Sequence, residues 1–190
     1  MKKHFAAAVL AIALPVASVA APKGYIVDPQ HSVPRFTYNH FGFSTQMARF
    51  NKVSGKFSID WEAKTGTVEF SIDASSIDSG IEPLNKHLRG PDFFDVEKYP
   101  TATFKSTLVT FEGDRPVSIQ GDLTMHGATQ SVNFIVTSFK HGPHGFLQNR
   151  ESIGGTATAI MSRTAFGLGR YAPNVGDDVT VTISLEAVKE

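Results

Sequence analysis

From Tyr25 onward the chain alternates apolar and polar positions with a period of two, broken at intervals by Gly, Pro, Asn and Asp; this is the pattern of half-buried strands joined by turns. Thr67 to Asp73 places Val68, Phe70 and Ile72 on one face. Val117 to Met125 places Val117, Ile119, Gly121, Leu123 and Met125 on one face, and Val179 to Ala187 repeats the arrangement with Val179, Val181, Ile183, Leu185 and Ala187. Weaker versions lie near 25–28, 32–40, 48–60, 101–111, 130–139 and 153–162. The pattern predicts eight or nine antiparallel strands, each with one apolar and one wetted face. A sheet that wide must close on itself or fold into two layers to hide its edges. His126-Gly127 is read as a hairpin corner, with glycine supplying a positive φ.

One stretch does not alternate. Ile81 to Pro100, "IEPLNKHLRGPDFFDVEKYP", has Ile81, Leu84 and Leu88 at helical spacings and Gly90-Pro91 to stop the helix, with Asp92 placed to cap a further turn carrying Phe93 and Phe94. Ser75, Ser76 and Asp78 just before it read as a turn and helix start. A short helix with one apolar face has to bury that face, and in an antiparallel barrel the open end is the natural place. The segment is then either a lid whose aromatics line a cavity or a helix that seals a filled core.

The interior offers the same two readings. Gly121 lies at an inward position of one predicted strand and Gly155, Ala157 and Ala159 at those of another, whereas Phe36, Phe70, Phe104 and Phe134 supply large inward groups elsewhere. Small residues facing large ones can interdigitate in a packed core or leave room for a ligand.

The first twenty residues stand apart. A Met1-Lys2-Lys3-His4 start, an apolar run from Phe5 to Val16, and Ser18 and Ala20 before Ala21 describe a cleavable secretory leader too short to span a membrane. Residues 21–190 then form one domain, long enough for a single substantial core. No cysteine is present, which removes disulfides, thiol nucleophiles and cysteine metal clusters. Without the leader's two lysines, 16 basic residues face 18 acidic ones for a net charge of −2, with both signs interspersed. That balance offers no nucleic-acid patch.

Catalytic chemistry is sparse. Of the seven histidines, none forms a His-x-His pair on a predicted strand, and His141 and His144 lie in a Gly/Pro-rich loop without a nearby acid, so no metal site is expected. There is no G-x-S-x-G and no phosphate-cradling glycine loop. Asp92 and Asp95 flank Phe93 and Phe94 but read more simply as caps and turn residues.

The blocks "YIVDPQHS" (25–32), "NHFGFST" (39–45), "FNKVSGKFSID" (50–60), "SIDASSIDSG" (71–80), "HLRGPDFFDVEKYPTATFKST" (87–107), "GDLTMHGATQSV" (121–132), "RTAFGLG" (163–169) and "VGDDVTVTISLEA" (175–187) resemble, in their order, those of the YceI-like family, described as periplasmic polyisoprenoid- or lipid-binding proteins. The resemblance implies an all-β fold, an extended eight-stranded antiparallel lipocalin-like barrel with a short helical lid. Its elongated apolar cavity would hold an isoprenoid tail or another long-chain lipid as ligand, without cofactor or covalent catalysis. Three departures fall near the expected mouth: Pro34 replaces an apolar strand residue, Leu84-Asn85 stands for an Arg-Asp pair, and Ala165 stands for an Asp. They bear on the ligand's head group rather than on the fold.

Alternation and resemblance together assign Phe36, Tyr38, Phe70, Phe104, Leu123, Phe134 and Met161 to the cavity wall, Leu88, Phe93 and Phe94 to the lid, and His40, His87 and Arg89 to the head group. The expected role is a periplasmic carrier, monomeric or homodimeric, for an isoprenoid, quinone or fatty-chain ligand. Transport, storage and sequestration all fit, with transient contacts to an inner-membrane cytochrome or lipid enzymes. The rival is an enzyme or redox partner acting on an isoprenoid quinone, with His40 or His87 and a nearby Asp as acid and base.

Overall fold

The computed structural model describes residues 21–190; the leader predicted over residues 1 to 20 lies outside the described residues. Eleven strand segments follow in chain order: β1 (Lys23–Val27), β2 (Val33–His40), β3 (Ser44–Phe50), β4 (Val53–Asp60), β5 (Thr65–Asp73), β6 (Ile77–Asp78), β7 (Thr101–Glu112), β8 (Arg115–Met125), β9 (Ala128–His144), β10 (Arg150–Ser162) and β11 (Val175–Lys189). One helix, α1 (Glu82–Arg89), sits between β6 and β7.

Every pairing is antiparallel, and the order β1-β4-β5-β7-β8-β9-β10-β11 closes through β11 back onto β1. β11 is long enough to pair with β2 over Val175–Ser184 and with β1 over Ala187–Lys189. β2 in turn pairs with β3. So β1 and β2 act as one bent barrel strand and β3 and β4 as another, which makes the wall an eight-stranded closed barrel. Closure removes the exposed edges that an open sheet of this width would carry.

The bends lie where inward parity changes. Ala48 and Phe50 point inward, and after Asn51-Lys52 the inward set becomes Val53, Phe57 and Ile59. A second irregularity between Ser106 and Leu108 leaves Leu108 outside, 55% exposed. At the start of β8 a shift of register buries Pro116 and leaves Val117 only half-buried, against the inward position alternation assigns it. A bulge inserts one residue and so reverses every following side chain until the next one.

The helix forms where spacing placed it. Pro83 occupies its first turn and Gly90 caps its end, the arrangement favoured when a helix must start and stop within a few residues. Leu88 is buried and Leu84 half-buried, but Ile81 is 56% exposed and contributes nothing to the packed face. The Ser75-Ser76 turn is a short 3-10 segment whose preceding Asp73 accepts from the Ser75 amide at 2.9 Å. At the predicted hairpin corner His126 and Gly127 both have positive φ, 50° and 78°, as a two-residue primed turn requires.

Candidate functional site

The barrel interior is not filled. The larger cavity, about 230 Å³, opens between β2, α1 and the connection from β10 to β11. Its wall is apolar apart from a few groups: Arg35, Tyr38, His40, His87, Arg163 and Tyr171. A second cavity of about 110 Å³ lies further along the barrel, lined by Phe57, Val68, Phe111, Ile119, Phe139 and Gly155 among others. Apolar cavities of this order stay dry and take up apolar molecules.

Of the residues assigned from sequence, Phe36, Tyr38, His40, Phe70, His87, Leu88, Phe93, Phe94, Leu123, Phe134 and Met161 all line the larger cavity. Two do not. Phe104 is 2% exposed and faces the second cavity. Arg89 points away from both: its Nε donates to Ser75 O at 3.1 Å and its Nη1 to Glu82 at 3.1 Å. On a helix of eight residues, Arg89 lies two positions from His87 and thus on a different face.

The lid is anchored by packing and by a small polar network. Phe94 is buried against Phe50, with ring centroids 5.5 Å apart, and against Phe36 at 6.2 Å. Asn85, one of the family departures, is 5% exposed, and its Oδ1 accepts from the Ser79 amide and hydroxyl, both at 2.7 Å. Its Nδ2 donates to Asp78 and Glu82. The Gly80 amide, followed by Asn51, Asn85 and Arg49, holds the Asp78 carboxyl down to about 2. The other residue of that pair, Leu84, puts hydrocarbon into the cavity wall, as does Pro34.

At the mouth His87 packs edge-on against Phe93 at 4.9 Å and lies 6.5 Å from the Tyr171 ring. His40, His87 and Tyr171 are exposed and still line the cavity, so they form its rim. Tyr38 lies deeper; burial raises its phenol above the ordinary value, partly offset by the charge of Arg163.

Arg163, like Tyr171, is a residue that sequence reasoning missed. It is 9% exposed, and its guanidinium donates to the carbonyls of Gly176 at 2.8 Å, Val175 at 2.7 Å and Arg170 at 3.0 Å, and also to that of Leu168. Burial lowers its pKa, against the pull of Asp177. Asp177 itself accepts from Ser162 Oγ at 2.7 Å and the Thr164 amide at 2.9 Å. One side chain thus folds the β10–β11 connection into a fixed rim and leaves a positive charge beside the cavity. The visible signal is a single Arg ending an apolar strand before a Gly-rich turn.

The opposite end is built differently. Tyr25, fully buried, donates to Glu151 at 2.8 Å and accepts from Trp61 Nε1 at 3.1 Å. Glu151 also accepts from Lys23 at 2.9 Å, His141 at 2.8 Å and Lys189 at 3.3 Å. The His141 ring stacks on Trp61 at 4.2 Å. Burial, with the Glu151 charge adding to it against the Trp61 hydrogen bond, pushes the Tyr25 phenol up to about 12. Burial would raise the Glu151 carboxyl as well, but hydrogen bonds from His141, Lys23, Tyr25 and Lys189 outweigh it and hold the group at about 2.

Fold and site together define a closed antiparallel barrel with a lidded, apolar, ligand-sized cavity. The model of the YceI-like domain matches residues 25–187, and the chain belongs to the YceI-like family. Relatives include a UPF0312 protein of Pseudomonas putida, 34% identical over 100% of this chain and 99% of that one. Another, from Shewanella denitrificans, is 31% identical over the full length of both. Among solved structures, Burkholderia cenocepacia BcnA superposes with a TM-score of 0.68 at 24% identity, covering 85% of this chain and 99% of BcnA. A polyisoprenoid binding domain from Saccharophagus degradans does so with 0.63 at 18%, covering 87% and 98%. These likenesses support the barrel.

Proposed function

We propose that this protein is an exported carrier that holds the hydrocarbon tail of an amphiphilic lipid, a polyisoprenoid, quinone or fatty-chain molecule, inside the barrel. The observation that carries the reading is the lidded cavity of about 230 Å³ whose wall is almost wholly apolar. Each buried methylene contributes about 0.8 kcal/mol, so tail burial alone can supply binding. Such a wall discriminates weakly among chains of similar width. The head group then rests at the rim formed by His40, His87 and Tyr171, with the Tyr38 hydroxyl and the Arg163 charge just inside. The Saccharophagus degradans relative, described as a polyisoprenoid binding domain, supports the choice of ligand class. Export to the periplasm rests on the leader pattern of the first twenty residues.

The acid–base alternative finds little in this geometry. The imidazole–carboxylate pairs among the described residues are His31–Asp28, His141–Glu151 and His144–Glu186, and none of these lines the larger cavity. His40 and His87 contact aromatic rings instead.

Titration with farnesol, followed by displacement of an environment-sensitive fluorophore, tests the carrier reading. Met161 is half-buried on the cavity wall, so Met161→Asp should leave a folded protein that no longer takes up the alcohol, because a charge there must be desolvated when the tail enters. A folded Met161→Asp protein with unchanged uptake would remove the cavity from the account.

A further inference from the structure

The two cavities lie in series, and their walls share only Phe70, Phe134 and Ile183. Between them stands a cluster of three rings. Phe70 on β5 is directly opposite Phe104 on β7, and the two rings stack at 5.0 Å with 15° between their planes. Phe134 on β9 meets Phe104 edge-on at 5.5 Å.

Phe104 is held from behind. A Cβ built on Gly121 of β8 would clash with the Lys105 carbonyl oxygen and stand 2.5 Å from Phe104 Cζ, so the neighbouring backbone and the ring share the space a side chain at 121 would fill. Gly121 thus behaves as the partner of an aromatic that covers a strand glycine. Gly155 and Ala157 sit differently: both line the second cavity, and a Cβ on Gly155 would meet the Ser138 carbonyl oxygen rather than a ring. Gly121 gives the Phe104 ring a seat on the adjacent strand, and Gly155 and Ala157 line the chamber beyond it.

We propose that Phe70, Phe104 and Phe134 form an aromatic septum that stops a bound tail at the inner end of the larger cavity, making the protein selective for tail length. This rests on the reading of the barrel as a lipid carrier and adds its specificity-determining residues. A tail entering at the mouth fills the first chamber and meets Phe70 and Phe134, with Phe104 packed behind them on Gly121. Further carbons then stay outside, in water, and add no affinity; the second chamber is out of reach until the septum is cut back.

A prenol series from geraniol through farnesol and geranylgeraniol to solanesol, titrated by displacement of a bound fluorophore, tests the septum. For the wild type, affinity should rise along the series and then level off. Phe134→Ala, which merges the chambers, should move the levelling point to a longer prenol and tighten the longer members about tenfold or more relative to geraniol. Phe134→Leu, a smaller change to the core, should show the same shift at lower amplitude and serves if the alanine variant does not fold. Adding Ala157→Leu, which fills the second chamber, should cancel the gain.

A wild-type affinity that climbs without a break to solanesol, with Phe134→Ala or Phe134→Leu changing all members by one common factor, overturns the septum and leaves the carrier reading intact. Failure of the wild type to bind any prenol or any long-chain fatty alcohol removes the carrier reading and the septum with it.

Discussion

The two ends of this barrel are closed by opposite means. At one end Tyr25, Trp61, His141, Glu151, Lys23 and Lys189 form a network in which a central carboxylate accepts from four different side chains. Its chemistry is consumed internally, and its groups belong to strands, or in the case of Trp61 to the turn after β4, that closure of the barrel brings together. At the other end a short helix and a long connection cover an apolar cavity, and the polar groups at the rim face a space rather than one another. The first end has the satisfied character of a structural core. The second leaves apolar surface and hydrogen-bonding capacity unspent, as a binding site does.

If that contrast is right, changes at the two ends should separate stability from binding. The largest effect is expected at Arg163, which belongs to both. Arg163→Met would strip the donors from four backbone carbonyls and should cost about 3 kcal/mol or more, measured by urea unfolding. It should also loosen the rim, so ligand release should speed up even under conditions where the variant stays folded.

Next comes Glu151→Gln, which should act on stability alone. The native carboxyl sits near 2 against an ordinary 4.5, so the stability it adds is fully present above about pH 4.5 and is lost as pH falls towards 2. Discounted for its partial exposure, that stability is about 1–2 kcal/mol. Urea midpoints measured from pH 6 down to pH 2 should therefore fall more steeply for the wild type than for Glu151→Gln, with tail affinity at neutral pH the same in both. A variant that loses affinity but keeps the acid transition would invert the assignment of the two ends.

The smallest effect belongs to the rim. His87 is exposed and packs on Phe93, so His87→Ala should change stability by no more than about 0.5 kcal/mol. It should weaken ligands with a polar head group a few-fold and leave a bare hydrocarbon unaffected. Comparing a long-chain alcohol with the matching alkane reads that difference.

Much of this was legible in the chain. Alternation located the strands, because each has one face in the barrel and one in water, and helical spacing with Gly90-Pro91 located the lid. The bulges were not legible: nothing in "FKSTLVTF" says that the inward set passes from Phe104 and Ser106 to Val109 and Phe111, leaving Leu108 in solvent. The small inward residues had two readings, and both hold in different places, Gly121 covered by a ring and Ala157 lining the second cavity. Tyr25 and Glu151 lie 126 positions apart and meet only once the barrel closes. Arg89 was drawn to the head group by its neighbour His87, although the helix turns it to Glu82 and Ser75.

The central claim is that the cavity exists to hold an apolar tail. Native mass spectrometry of the protein purified from its own cells without detergent, followed by organic extraction, tests it most directly. The account predicts a mass in excess of the polypeptide that extracts as a prenyl or acyl lipid. A bare polypeptide that also takes up none of the added prenols would contradict it.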